Sequence, residues 1–216
     1  LQSGKLVVAQ NQKEISSLQT LYQRGLHNGV NIQLISEQDA KEIEPRVKTT
    51  QKALYTSDTA SVDPLHVCKT LKEILLQKGI KIITNFKITN INQNKAISDD
   101  NAITFKHLIN CAGIYADKIA QYCGVGEEYI MIPFKGLYMK YEGALTLNTN
   151  IYPVPNLLNP FLGVHFTKTS TGHIKVGPTA IPAFWRENYK GIHRFNMKEL
   201  IEIIRAETEM FIGNHN

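Results

Sequence analysis

Residues 63 to 84, "DPLHVCKTLKEILLQKGIKIIT", constrain the fold more than any other stretch. Asp63 offers an N-cap oxygen, Pro64 suits the first helical position, and Leu65, Cys68, Leu71 and Leu75 fall on one face before Gly79 stops the helix. The apolar run from Ile80 to Thr84 follows without a linker and reads as a buried strand. Further on, "AITFKHLINCAG" reads as a strand running into Gly113, from which a helix, "YADKIAQYCG", departs. Helix into buried strand, then strand into glycine turn into helix, is the pattern of an α/β layer on a parallel sheet.

The flanks follow a different grammar. Residues 4 to 10 read as a strand, and Ile15, Leu18, Leu21 and Tyr22 recur at helical spacing until Asn28 and Gly29 end the helix. Residues 32 to 35 form a further strand, and Ser36 with Asp39 makes a capping-box pattern ahead of a short helix closed by Pro45. "FKITNI" alternates, and residues 92 to 101 read as a turn-rich hairpin. Past Gly126, segments 129–142, 151–154, 161–167 and 173–177 read as strands joined by proline and glycine turns, hence an antiparallel sheet, and a helix closes the chain over 197–211. The expectation is therefore two interleaved domains, with 58–125 in one and both 1–57 and 126–216 in the other.

Composition narrows the function classes. At 216 residues, 43% hydrophobic and 20% charged, the chain is ordinary globular protein. Its net charge of +5 is dispersed, without runs of like charge or a ladder of basic and aromatic residues, so nucleic acid is not expected as a partner. No apolar run approaches the roughly 20 residues that cross a bilayer. Cys68, Cys111 and Cys123 make no C-x-x-C pair and leave one thiol over, which points to a reduced, cytoplasmic protein. The first residues, "LQSGKLVVAQ", lack Met and a signal-peptide pattern, and imply that the sequence starts in mid-protein.

Several stretches carry chemistry. "LINCAGIYADKIA" places small residues between strand end and helix start, where backbone can approach a ligand at Ala112 and Gly113. "IYPVPNLLNPFLGVHF" brings Pro153, Pro155 and Pro160 to a hairpin that ends on His165; the prolines read as stiffeners. His27, His107 and His193 have no spacing that suggests a metal, and none is assigned. No G-x-G-x-x-G occurs; Gly124-Val-Gly126 has Tyr129 at the third glycine's place and follows a helix.

The "NCAGIYA" segment resembles the "NxAGxxA" segment of the FAD-dependent D-amino-acid oxidase and glycine oxidase superfamily, and "SVDPLHVCKTLKEILLQKGIKIITNFKITNI" is similar to another of its segments. "IPFKGLYMKY", "NIYPVPNLLNPFLGVHFT" and "GHIKVGPTAIPAFWRENY" together resemble, in that order, the L-2-hydroxyglutarate oxidase and dehydrogenase family. "GKLVVAQ" and "LYQRGLHNGV" match the same family, so nearly the whole chain is covered as its central portion. The resemblance implies a mixed α+β and α/β fold: an incomplete, Rossmann-like FAD-binding layer over 58–125, interleaved with an antiparallel-sheet substrate domain. The glycine-rich nucleotide unit would precede Leu1, and a closing flavin-binding segment would follow Asn216.

It also implies an activity, oxidation of L-2-hydroxyglutarate to 2-oxoglutarate with hydride transfer to FAD, a cofactor that this chain alone would hold weakly. His165 is the candidate base, because imidazole exchanges protons near neutrality. Lys135, Tyr138 and Arg186 are candidate contacts for a small dicarboxylate. Ile88, Asn110, Ala112 and Gly113 are the candidate cofactor contacts. The chain departs from the family at Lys135, where Arg is usual, at Leu137, where an acid is usual, and at Thr179, where Asn is usual. Lysine keeps the charge but gives up the bidentate fork. Alternatives are a related flavoenzyme acting on glycerol 3-phosphate or an amino acid, and a non-catalytic substrate-domain module from a split or decayed gene. An incomplete sheet would favour self-association or pairing with a separate N-terminal flavin-binding chain, and the complete enzyme could sit peripherally on a membrane.

Overall fold

The computed structural model describes residues 1–99, 101–156, 159 and 161–213. Pro160 lies outside the described residues. Two compact units emerge, one of Leu1–Gln77 with Gly136–Ala180 and one of Lys78–Lys135 with Ile181–Asn216.

In the first unit, β1 (Lys5–Val8), α1 (Glu14–His27), β2 (Gln33–Ser36), α2 (Glu37–Ile43), β3 (Lys52–Thr56) and α3 (Pro64–Gln77) follow in order. α1 stops where Gly29 takes φ +70°, a conformation cheap only for glycine. α2 starts on a full capping box: the Ser36 hydroxyl accepts from the Asp39 amide, and the Asp39 carboxylate accepts from the Ser36 amide. Strand alternation then sorts the core. Leu6, Val8 and Ala53 pack with Ala40 of α2, whereas Ala9 and Leu54 pack with Leu18 of α1. The two helices therefore cover opposite faces of β1 and β3.

The sheet continues through strands contributed much later in the chain: β7 (Phe134–Tyr141), β8 (Asn150–Pro153), β9 (His165–Lys168) and β10 (Ile174–Pro182). Its order is β2-β3-β1-β8-β9-β10-β7. The later strands are antiparallel between β8, β9 and β10, as expected, but β1 joins β8 in parallel, Leu6 opposite Ile151. The sheet is mixed because β1, antiparallel to β3 on one side, pairs in parallel on the other with a strand more than 140 residues later, a long-range pairing that no local pattern announces.

The second unit holds a three-stranded antiparallel sheet, β4 (Asn90–Asn92), β5 (Lys95–Ile97) and β6 (Ala102–Thr104), with α4 (Ala116–Tyr122) and α5 (Met197–Gly213). The hairpin expected over 92–101 is β4 to β5 to β6. Residues 80–84, expected as a buried strand, carry none, and of the strand expected over 102–113 only Ala102–Thr104 forms, in antiparallel β6, leaving 107–112 without one; Ile80, Ile82, Ile83 and Ile109 are exposed. A parallel strand exists only through amide bonds to neighbours, and among the described residues none pairs with these segments. α3 forms where its caps predict, yet none of its residues is buried; Leu65, Leu71 and Ile74 face solvent. Together these elements make a mixed α+β fold with a seven-stranded mixed sheet and a separate antiparallel sheet.

Candidate active site

One sheet face of the first unit carries the pocket. Gly177 of β10 lies opposite His165 of β9, and Lys175 lies opposite Thr167. Side chains two apart share a face, so His165 and Thr167, Lys175, Tyr138 and Lys140 of β7, and Tyr152 of β8 all border one cavity of about 640 Å³. The segment Thr59 to Pro64 forms its other wall. Glycine at 177 is a steric requirement: its φ is +147°, and an added Cβ would sit 2.6 Å from the Leu137 carbonyl oxygen and 2.9 Å from Tyr138 Cδ1. Absence of that carbon lets Tyr138 stand beside His165.

His165 is 4% exposed. Its Nδ1 lies 2.9 Å from the Gly163 carbonyl oxygen, which can only accept, so Nδ1 carries the hydrogen and the lone pair of the neutral ring resides on Nε2. Tyr152 stacks on the imidazole, ring centroids 4.0 Å apart and 13° from parallel, while Tyr138 meets it edge-on at 6.1 Å. Burial pushes the Tyr138 phenol above its ordinary pKa, and negative charge at Tyr152 adds to the rise, so the hydroxyl keeps its proton and acts as a donor.

Lys135 and Arg186 belong to the second unit. Lys135 donates from Nζ to Asn188 Oδ1 at 3.0 Å. Arg186 donates from Nη1 and Nη2 to the two oxygens of Asp117, at 2.8 and 2.7 Å, and also to the Ile114 carbonyl. Where the sequence led us to expect an open carboxylate grip, this guanidinium is enclosed at 1% exposure and its fork is spent on a partner. Burial raises the Asp117 pKa, but the Arg186 hydrogen bond, the Met131 amide, the Arg186 charge and the Lys118 amide together hold it below the usual range.

The expected cofactor residues also lie in the second unit. Ile88 and Ala112 border a cavity of about 750 Å³ together with Tyr115 and Lys118. Asn110 fixes the adjoining turn, its Nδ2 donating to the Ala116 carbonyl and its Oδ1 accepting from the Ala112 amide. Gly113 adopts φ +57° with open space where a side chain would stand. A small-residue turn with uncovered backbone beside a cavity fits the flank of a dinucleotide. The glycine-rich phosphate turn itself does not occur in the 216 residues.

Sequence reasoning missed Tyr152, Lys140, Lys175 and Asp117. Alternation along "KGLYMKY" and "GHIKVGP" was the signal for the lysines, once the register with His165 is known. Nothing local marks Asp117, whose partner stands 69 positions away.

L-2-hydroxyglutarate dehydrogenase, mitochondrial, of Bos taurus is 35% identical over 222 residues, covering 94% of this chain and 48% of its own length. The Caenorhabditis briggsae protein of the same name is 38% identical over 200 residues, covering 87% of this chain and 46% of its own. The chain thus spans about half the length of the curated relatives it matches. Among solved structures, dithionite-reduced L-alpha-glycerophosphate oxidase from Mycoplasma pneumoniae with FAD bound aligns at a TM-score of 0.73 and 27% identity, over 94% of this chain and 56% of that one. The family model "DAO: FAD dependent oxidoreductase" matches residues 1–212, and with nearly its whole length inside that match, the chain belongs to this family of FAD dependent oxidoreductases.

Proposed function

We propose that this chain forms the substrate side, and part of the flavin side, of an oxidoreductase that converts L-2-hydroxyglutarate to 2-oxoglutarate. The buried His165, with Nδ1 committed to a carbonyl and Nε2 left as acceptor, is the observation that carries the reading. Oxidation removes a hydride from the α-carbon and a proton from its hydroxyl. FAD, when bound, supplies the hydride acceptor. His165 takes the hydroxyl proton at Nε2, and Tyr138 donates its phenol hydrogen to the neighbouring carboxylate. Ile88, Asn110, Ala112 and Gly113 line the dinucleotide end, although these 216 residues hold FAD weakly without the phosphate turn. Lys135 and Arg186 act through the loops they brace.

The likeness to L-alpha-glycerophosphate oxidase favours a second reading, in which the hydroxyl-bearing substrate is glycerol 3-phosphate. The exposed apolar stripe on α3 supports contact with a further polypeptide, either a second copy or a separate flavin-binding chain. Among the described residues no helix is long and apolar enough to cross a membrane. All three thiols are free and exposed, which suits a reducing compartment such as the cytoplasm, whereas the relatives named above are called mitochondrial. Titrating the chain with L-2-hydroxyglutarate, its D-enantiomer and glycerol 3-phosphate, while following the His165 ring resonances by NMR, tests the reading. Saturable shifts with the L-enantiomer are expected, and calorimetric binding of the L-enantiomer is expected to weaken in His165→Gln. Unmoved His165 resonances with the L-enantiomer, or equal shifts with both, would refute it.

A further inference from the structure

We propose that Lys140 and Lys175 hold the distal anion of the substrate and so select dianions over monoanions. This inference rests on the functional reading above, since it places the reacting carbon at His165. β7 and β10 are neighbours in the sheet, and both lysines border the cavity that holds His165 and Tyr138. Lys175 is opposite Thr167 and Gly177 is opposite His165, so Lys175 stands one side-chain repeat from the imidazole; Lys140 stands one repeat from Tyr138 on β7. One repeat is about 7 Å along a strand.

That offset matches the substrate. From the hydroxyl-bearing carbon of a five-carbon diacid to its distal carboxyl carbon, three carbon–carbon bonds span roughly 4 Å. A charge-assisted hydrogen bond adds about 2.8 Å. The sum is comparable to the one-repeat offset, so the distal carboxylate lies within reach of the lysine side chains. Lysine stems are flexible, so the ruler is soft: discrimination between four- and five-carbon diacids is small, and discrimination against a monoacid is large.

Both ammonium groups are available. Lys175 makes no ion pair among the described residues, and Lys140 has only Glu142 at 3.7 Å, an exposed contact of little strength. Among the described residues Asp63 is the single carboxylate that borders the cavity, and its Oδ1 accepts from the Leu65 amide at 2.9 Å. Asn150, one of several polar residues on the cavity wall with Thr167, Thr169 and His173, is committed: its Nδ2 donates to Gly4 O and Ser3 Oγ, and its Oδ1 accepts from the Lys168 amide. Two cations on adjacent strands repel each other until an anion arrives between them. The carboxylate-binding role expected of Lys135 and Arg186, both of which have partners of their own, passes to these two lysines.

The test uses glutarate and butyrate, which share a chain but differ by one carboxylate, titrated into the 216-residue chain at fixed ionic strength. Glutarate is expected to bind roughly tenfold tighter, a preference worth about 1.4 kcal/mol. Lys140→Met/Lys175→Met is expected to bring glutarate down to butyrate, and Lys175→Glu to go further and repel it. Glutarate preference that survives in the double variant overturns the proposal. Glycerol 3-phosphate forms a second arm: lysine-dependent binding of it supports the same anion site. The two readings fail separately. If glutarate needs the lysines while L-2-hydroxyglutarate leaves the His165 resonances unmoved, the anion site stands and the hydroxy-acid chemistry falls.

Discussion

Replacing Arg186 by Met should destabilise the second unit severely. Arg186 and Asp117 have side chains 1% and 4% exposed, joined by two parallel bonds of 2.8 and 2.7 Å. Truncation leaves the Asp117 carboxylate with only the amides of Lys118 at 2.9 Å and Met131 at 3.1 Å. An enclosed charge stripped of its counter-ion costs about 3–5 kcal/mol. With a urea m value of about 2 kcal/mol/M, the midpoint falls by roughly 1.5–2.5 M. Arg186→Met/Asp117→Leu removes both charges and should cost less than Arg186→Met alone, because an apolar pair needs no compensation. The acid limb gives a second readout. Asp117 has its pKa lowered by folding, so its contribution is present above the ordinary value near 3.8 and is lost as pH falls through the folded value. In Arg186→Met that loss should begin at higher pH. Urea unfolding followed by circular dichroism at several pH values decides the matter. If Arg186→Met costs under about 1 kcal/mol yet abolishes dicarboxylate binding, Arg186 grips the substrate and the bracing role is refuted.

Two further outcomes follow from local geometry. The Tyr115 phenol is pushed up to about 12, chiefly by burial, then by the charges of Glu187 and Glu199 and its hydrogen bond to Glu187. Its contribution is present below the ordinary value near 10 and is lost as pH rises toward 12; spectrophotometric titration should show the last-ionising phenol disappear in Tyr115→Phe, and an unchanged alkaline limb would contradict this. Gly177→Ala should cost about 1–3 kcal/mol and weaken glutarate binding, because the new methyl displaces Tyr138; thermal melts and titration of the variant check both, and a variant as stable as the parent would refute the packing argument.

Elements fixed by local signals were legible in the sequence, and elements fixed by partners were not. α1, α2 and α3 announce their ends through Asn28-Gly29, Ser36 with Asp39, and Asp63-Pro64 with Gly79, and each forms where those signals stand. β3 escaped notice: "KALYT" alternates weakly and follows Gln51 at φ +61°, yet it lies between β1 and β2 with Ala53 and Leu54 buried. Conversely, "IKIIT" has every local mark of a buried strand and is none, since strand hydrogen bonds are made with another segment and hydrophobicity cannot supply them. The same distinction governs the site. His165 and Tyr138 stood out as residue types in suggestive strings, but which side chains share their face depends on the pairing of Gly177 with His165. Once that register is known, period-two alternation places Lys175, and the close approach of Gly177 to Leu137 and Tyr138 brings Lys140 of β7 to the same cavity. Arg186 shows the converse: a guanidinium in a family-like string invites a substrate role, and only the fold reveals Asp117, distant in sequence, already holding it. Charge identity is readable from a sequence; charge availability is a property of the packed chain.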